Sequence, residues 1–168
     1  MKQLKIINPR NVSVSEADSY KLRIAARAIV IDRDGLVALL HVARDSYYKL
    51  PGGGMEEGED MMTGLKRECQ EEIGCDIEVI KEIGSTVEYW KEDNEKQISH
   101  CYMAKVQGQK GRPNLTESEK ERGFSIIWVP YKEAVDLFKK SIPTQFEGDY
   151  IIPRDLAFLE EAEKLFPF

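Results

Sequence analysis

Residues 53–75 read GGMEEGEDMMTGLKRECQEEIGC, and the second half of this stretch sets three glutamates, Glu68, Glu71 and Glu72, on one side of a helix. Residues three and four apart on a helix are neighbours, so each like-charged pair there repels by about 0.2–0.5 kcal/mol. The same carboxylates fall in the last turn before Gly74, where the negative end of the helix dipole disfavours anions. Two local rules broken together point to function, and the natural partner of clustered carboxylates is a hard divalent cation such as Mg²⁺.

The helix carries its own end signals. Asp60 is an N-cap residue and Gly74 suits the left-handed position that closes a helix. At about 100° per residue, Met62, Leu65, Cys69 and Ile73 form an apolar stripe, with the glutamates fanned out beside it. One side is made to pack and the other is left to bind.

Gly53, Glu59, Arg67, Glu68, Cys69, Glu71, Glu72, Gly74 and Cys75, preceded by Leu50-Pro51-Gly52, follow the pattern G-x5-E-x7-R-E-U-x-E-E-x-G-U, with U apolar. This resembles the Nudix box of the Nudix hydrolases. Both U positions are cysteine where an aliphatic side chain is more usual, a mild departure, since a buried free cysteine behaves as a small hydrophobe. The resemblance implies an α/β fold, the α/β/α sandwich with a mixed β-sheet in which the box forms a loop-helix-loop. It also implies a Mg²⁺-dependent hydrolase, with Mn²⁺ as a substitute. Its reaction would cleave a diphosphate linkage in a nucleoside diphosphate joined to another moiety: an NTP or dNTP, a nucleotide sugar or a dinucleoside polyphosphate.

Roles follow from the same resemblance. Glu68 and Glu72 are implied as metal ligands, Glu71 as a ligand or the base acting on water, and the Gly52 carbonyl oxygen as a further ligand. Arg67 is implied as a support that pairs with Glu71 one turn on or with Glu59 in the loop. Glu71, Glu68, Arg67 and Glu59 make up the expected catalytic set. Three carboxylates on one rigid helix are expected to form a preorganised cage. Replacing Glu72 by glutamine is expected to weaken metal binding and activity while leaving the fold intact or slightly more stable, because it relieves like-charge repulsion. Some family members draw another catalytic glutamate from a distant loop, and Glu117, Glu119 and Glu121 in NLTESEKERG are the candidates.

Outside the box, 168 residues with 42% hydrophobic content suffice for one domain, read as 1–168 with residues 1–20 as an extension or edge strand. The apolar run from Ile24 to Ile31 is broken by Arg27 and too short to span a bilayer, and residues 1–11 lack the apolar core of a leader. A soluble, cytoplasmic protein is the expectation. The three cysteines match neither a disulfide framework nor a zinc site. A net charge of −6 argues against broad binding to nucleic acid or anionic membranes, while a small nucleotide-type substrate stays open because a bound metal reverses the potential locally. The sequence leaves monomer and homodimer both open.

Strands are read at Leu22–Asp32 and Leu36–Ala43, joined as a hairpin through Arg33-Asp34-Gly35, at Tyr47–Leu50, at Ile77–Trp90 and Gln97–Val106 around Lys91–Asn94, and at Phe124–Val129. Prolines at a first turn suggest helices over Tyr131–Lys140, after Pro130, and Arg154–Leu165, after Pro153. Alternation in the first strand places Arg23, Ala25, Arg27 and Ile29 on one face. Arg27, with Arg44 and Lys49 near the glycines, could meet a substrate phosphate, although an exposed edge explains such residues equally well. Tyr47, Tyr48, Tyr89 and Trp90 could stack on a base, or serve as core and cross-strand partners.

Other chemistries fit poorly. Gly52, Gly53, Gly54 and Gly58 make tight turns, but the residue after Gly58 is Glu59 where a P-loop needs lysine, and Glu57 takes the last glycine position of a dinucleotide fingerprint. No G-x-S-x-G elbow accompanies His41 or His100, and Cys69 lies on the apolar stripe. The remaining alternative is a catalytically silent Nudix-fold nucleotide sensor. Such modules commonly have lost box glutamates, and here none is missing.

Overall fold

In the computed structural model, which describes residues 1–166, the chain runs β1 (Gln3–Ile7), α1 (Val14–Ala17), β2 (Lys21–Ile31), β3 (Val37–Val42), β4 (Tyr47–Lys49), α2 (Met61–Ile73), β5 (Asp76–Trp90), β6 (Glu95–Gln107), α3 (Glu117–Glu121), β7 (Phe124–Val129), α4 (Tyr131–Lys140) and α5 (Gly148–Leu165). The Ile- and Val-rich runs are the strands, and Gly35, at φ 80°, turns β2 into β3.

That first hairpin exists only at its tip, where Ile31 pairs with Val37. Beyond it β3 pairs antiparallel with β7 over Val37–Val42, and with β4 through Leu40, His41 and Val42. The edge of β2 that β3 abandons is taken by the segment after β4. Ala28 N donates to Pro51 O at 2.9 Å, Ala26 N to Gly53 O at 3.0 Å, and Met55 N to Ile24 O at 2.9 Å. The glycine segment therefore lies along β2 like an extra strand, its backbone groups paired as a buried chain requires.

On its other edge β2 pairs parallel with β6, and the sheet runs β1-β5-β6-β2-β3-β4 with β7 on β3. β1 is the edge, parallel to β5. Period-two alternation splits β2 between two cores. Ala26, Ala28 and Val30 face one cluster with Leu65, Cys69 and Ile73 of α2. Ile29 faces the other, with Phe138 of α4 and Phe158 and Leu159 of α5. Helices thus cover both faces, the expected α/β/α layering, and a leucine buried as Leu65 is contributes about 1.5–3 kcal/mol.

One boundary differs from expectation. α5 starts at Gly148, five residues ahead of Pro153, and carries the proline inside it. Tyr150 supplies the reason: it is fully buried, stacks on Trp90 at 4.2 Å and donates from its hydroxyl to Glu92 at 2.8 Å. This anchorage outweighs the backbone bond that Pro153 forfeits in the second turn. No helix among the described residues is long and apolar enough to cross a membrane.

Candidate active site

Both ends of α2 are held by the residues the sequence assigns. Asp60 accepts from Met62 N at 2.9 Å and Thr63 N at 3.1 Å, and Gly74 closes the helix at φ 64°. The buried stripe of Leu65, Cys69 and Ile73 pins the helix to the sheet, which turns Glu68 and Glu72 towards the glycine segment and leaves Glu71 more exposed. Two glycines make that approach possible. Gly52 sits at φ 128° with its Cα against β2, so a Cβ there would collide with the Ala26 carbonyl; at Gly53 a Cβ would occupy the space of the Glu68 carboxylate.

Arg67 is the hub of the cluster. Its Nε and Nη2 donate to the two oxygens of Glu59, each at 3.0 Å, while Nη1 donates to Glu68 at 2.9 Å and Glu71 at 3.3 Å. Nη2 also reaches the Gly54 carbonyl at 3.2 Å. Both expected pairings, with Glu59 and with Glu71, are therefore present together. The fork to Glu59 raises the Arg67 pKa and holds the Glu59 carboxyl below its usual range.

Glu72 lies deeper, 2% exposed. Its two oxygens accept from Lys49 Nζ and from Gly52 N, each at 2.7 Å. Burial raises its pKa despite the lysine. The repulsion that the sequence places on α2 is thus offset by two basic side chains, one on the helix and one on β4. As a consequence the expected ready-made cage is absent: among the described residues no three carboxylate, histidine or cysteine side chains stand in a ligating arrangement. Each box glutamate is turned to a donor instead.

Of the residues proposed for substrate, Lys49 is in the site, Arg44 is not, and Arg27 is behind it. Arg44 bonds Asp45 at 3.1 Å with its side chain 57% exposed. Arg27 is buried, donates to the Ala26 carbonyl at 3.2 Å, and among the described residues has no hydrogen-bond partner for its Nε. Burial and the adjacent Arg154 pull its pKa down to about 10. Among the loop glutamates, Glu119 is spent in a capping box with Thr116 and Glu117 pairs with Lys120. Among the described residues, Glu121 alone of the three has no hydrogen bond or ion pair. Trp90 gives its indole N–H to buried Glu88 and stacks on Tyr150, so it is a core partner.

Several supporting residues escaped the sequence reading. Asp155 accepts from Leu50 N at 2.8 Å and is gripped by Arg154 at 2.7 Å, bracing the glycine segment from α5. Asn114 N donates to Glu71 O and Gly111 N to Gly74 O, each at 2.7 Å, so the 108–116 loop covers the carbonyl end of α2. Arg122 joins Asp45 at 2.7 Å to Tyr47 at 3.0 Å. Only the T-x-x-E capping box at Thr116–Glu119 had a legible local signal.

The side chains that α2 offers, Glu68, Glu71 and Glu72, are all oxygen donors, which is the chemistry a hard divalent cation takes, although they do not converge as placed. Gly53 leaves the Glu68 carboxylate a berth that no other residue would, so the residues present fit such an ion.

Comparison with known proteins agrees with this geometry. Residues 21–149 match the NUDIX domain. An RNA pyrophosphohydrolase of Wolbachia pipientis subsp. Culex pipiens (strain wPip) is 36% identical over 91 residues, 53% of this chain and 55% of that protein. An RNA pyrophosphohydrolase of Hydrogenovibrio crunogenus (strain DSM 25203 / XCL-2) is 23% identical over 144 residues, 76% of this chain and 86% of that protein. The fold is similar to that of a NUDIX hydrolase from Nitrosomonas europaea, with a TM-score of 0.63 at 16% identity over 86% of this chain and 90% of that one.

Proposed function

The chain belongs to the NUDIX family, and from that premise we propose that it is a divalent-metal-dependent pyrophosphohydrolase that cleaves the diphosphate linkage of a nucleotide. The observation that carries this reading is the helix face: Glu68, Glu71 and Glu72 are all present, and Gly53 leaves room for the carboxylate of Glu68. A sensor that binds without cutting has no need of the full set.

Glu68, Glu72 and the Gly52 carbonyl would hold the ion. When bound, Mg²⁺ or Mn²⁺ supplies neutralisation of the phosphate oxygens and a lowered pKa for water. Glu71, the most exposed of the three at 43% of its side chain and paired with Arg67 at 3.3 Å, would be the box carboxylate that takes the proton of an attacking water. Arg67, whose Nη1 donates to both Glu68 and Glu71, would orient them, a role in which loss of support costs about 10–100-fold in activity or affinity.

The test is a substrate panel with Mg²⁺ and with Mn²⁺: NTPs, dNTPs, ADP-ribose, nucleotide sugars, dinucleoside polyphosphates and an RNA carrying a 5′ triphosphate. The RNA belongs there because both relatives above are named RNA pyrophosphohydrolases. Release of phosphate, pyrophosphate or a nucleoside monophosphate from at least one compound is expected. Binding without turnover across the whole panel would favour the sensor.

A further inference from the structure

A cation already sits on the most buried box carboxylate. Lys49 Nζ is 2.7 Å from Glu72 Oε1, with the two side chains 13% and 2% exposed. The other oxygen of Glu72 is committed to Gly52 N at 2.7 Å. The Lys49 ammonium also lies 5.2 Å from the centre of the Phe124 ring, so it contacts both a carboxylate and an aromatic face. A carboxylate oxygen binds Mg²⁺ at about 2.0–2.1 Å. An ammonium within hydrogen-bond reach of that same oxygen would stand close to the ion, two positive charges on one buried ligand.

We propose that Lys49 is an internal counter-ion that closes the Glu72 ligand in the metal-free protein and leaves it when a divalent cation binds. The inference rests on the metal-dependent reading above. It assigns to β4 a part that the box alone does not contain: Lys49 neutralises Glu72 while the site is empty of cation, keeps the helix from paying its full repulsion, and is set free beside the phosphates once Glu72 takes a metal. A charge-assisted hydrogen bond of this kind is worth about ten- to a hundredfold in an equilibrium constant, so Lys49 acts as a competitor of that order for the ion.

The experiment is Mn²⁺ binding by calorimetry to the full chain and to Lys49→Met, with folding checked by circular dichroism, beside NMR of the wild-type protein carrying ¹³C-labelled lysine and titrated with Mg²⁺. Mn²⁺ is expected to bind Lys49→Met about tenfold more tightly than wild type, and the Lys49 Cε resonance to move with saturation of the site. A Lys49 resonance that stays fixed while Mg²⁺ binds overturns the proposal, whether or not the variant folds. Equal or weaker Mn²⁺ binding by folded Lys49→Met overturns it as well. Absence of metal binding to both proteins overturns the metal-dependent reading itself, and with it this inference, so the two failures are told apart.

Discussion

Glu72→Gln separates the sequence reading of the helix from the structural one. From the sequence alone the substitution relieves repulsion among Glu68, Glu71 and Glu72, and the fold should hold or gain slightly. The structure reverses the sign. Removing the charge leaves Lys49, 13% exposed, facing a neutral amide in the metal-free protein. Breaking a fully buried pair by deleting one partner costs about 3–5 kcal/mol. Here the cost is smaller, because Gly52 N keeps an acceptor in the glutamine oxygen and a lysine stem can swing its ammonium outward. A loss of about 2 kcal/mol is expected, which for a chain of this size lowers Tm by about 4–8 °C. Thermal unfolding in EDTA reads it directly. Adding Lys49→Met to Glu72→Gln should restore part of the loss, giving a non-additive cycle. A Glu72→Gln protein as stable as wild type, or more so, in metal-free buffer would refute the account of how the cluster is neutralised.

Three further outcomes are expected. Arg67→Lys should lower turnover about as far as Arg67→Ala, within the 10–100-fold range of lost ligand support, because a lysine cannot reproduce the fork to Glu59 together with the bonds to Glu68 and Glu71; steady-state kinetics on the best panel substrate checks this. Burial of Asp45 favours its neutral form, but hydrogen bonds from Arg44 and Arg122 outweigh that and depress its pKa. A depressed carboxyl stabilises the fold above its unfolded pKa of about 3.9 and loses that contribution as pH falls through the folded value, so Asp45→Asn should flatten acid unfolding below about pH 4. Among the loop glutamates, Glu121→Gln should reduce kcat more than Glu117→Gln or Glu119→Gln, since the latter two are occupied by Lys120 and by the α3 cap.

The elements that could be read from the sequence are those whose signals are local. Asp60, the stripe through Ile73 and Gly74 define α2 without reference to anything distant, and Pro130 marks α4 to the residue. The first hairpin was legible as two strands and a turn, but not as a pair that parts after Ile31 and Val37. Nothing in Leu36–Ala43 announces that β3 will prefer β7, more than eighty residues on, to its neighbour in sequence. Long-range pairing is decided by what the rest of the chain offers, and here it leaves an edge of β2 open for the glycine segment. The start of α5 escaped for the same reason: Pro153 is a local stop signal, and Tyr150 overrides it through direct contacts with Trp90 and Glu92, distant in sequence.

The site follows the same division, with one difference. The carboxylates were visible because they violate helix rules, and a violation can be seen in one short stretch. Their partners obey every local rule: Lys49 stands out in the sequence only as a residue that could meet a phosphate and not as the partner of Glu72, Asn114 and Gly111 are loop residues that lend only backbone N–H groups, and Asp155 sits in a helix like any other acid. Arg67 was legible only because it shares the helix with the glutamates it serves. On the proposed reading the box would supply the ligands, while β4, the 108–116 loop and α5 hold the segments that carry them. Changes in these supporting segments would alter metal affinity and the cost of emptying the site without touching one box residue, and that is where this chain can differ from other members of its family while keeping the same helix.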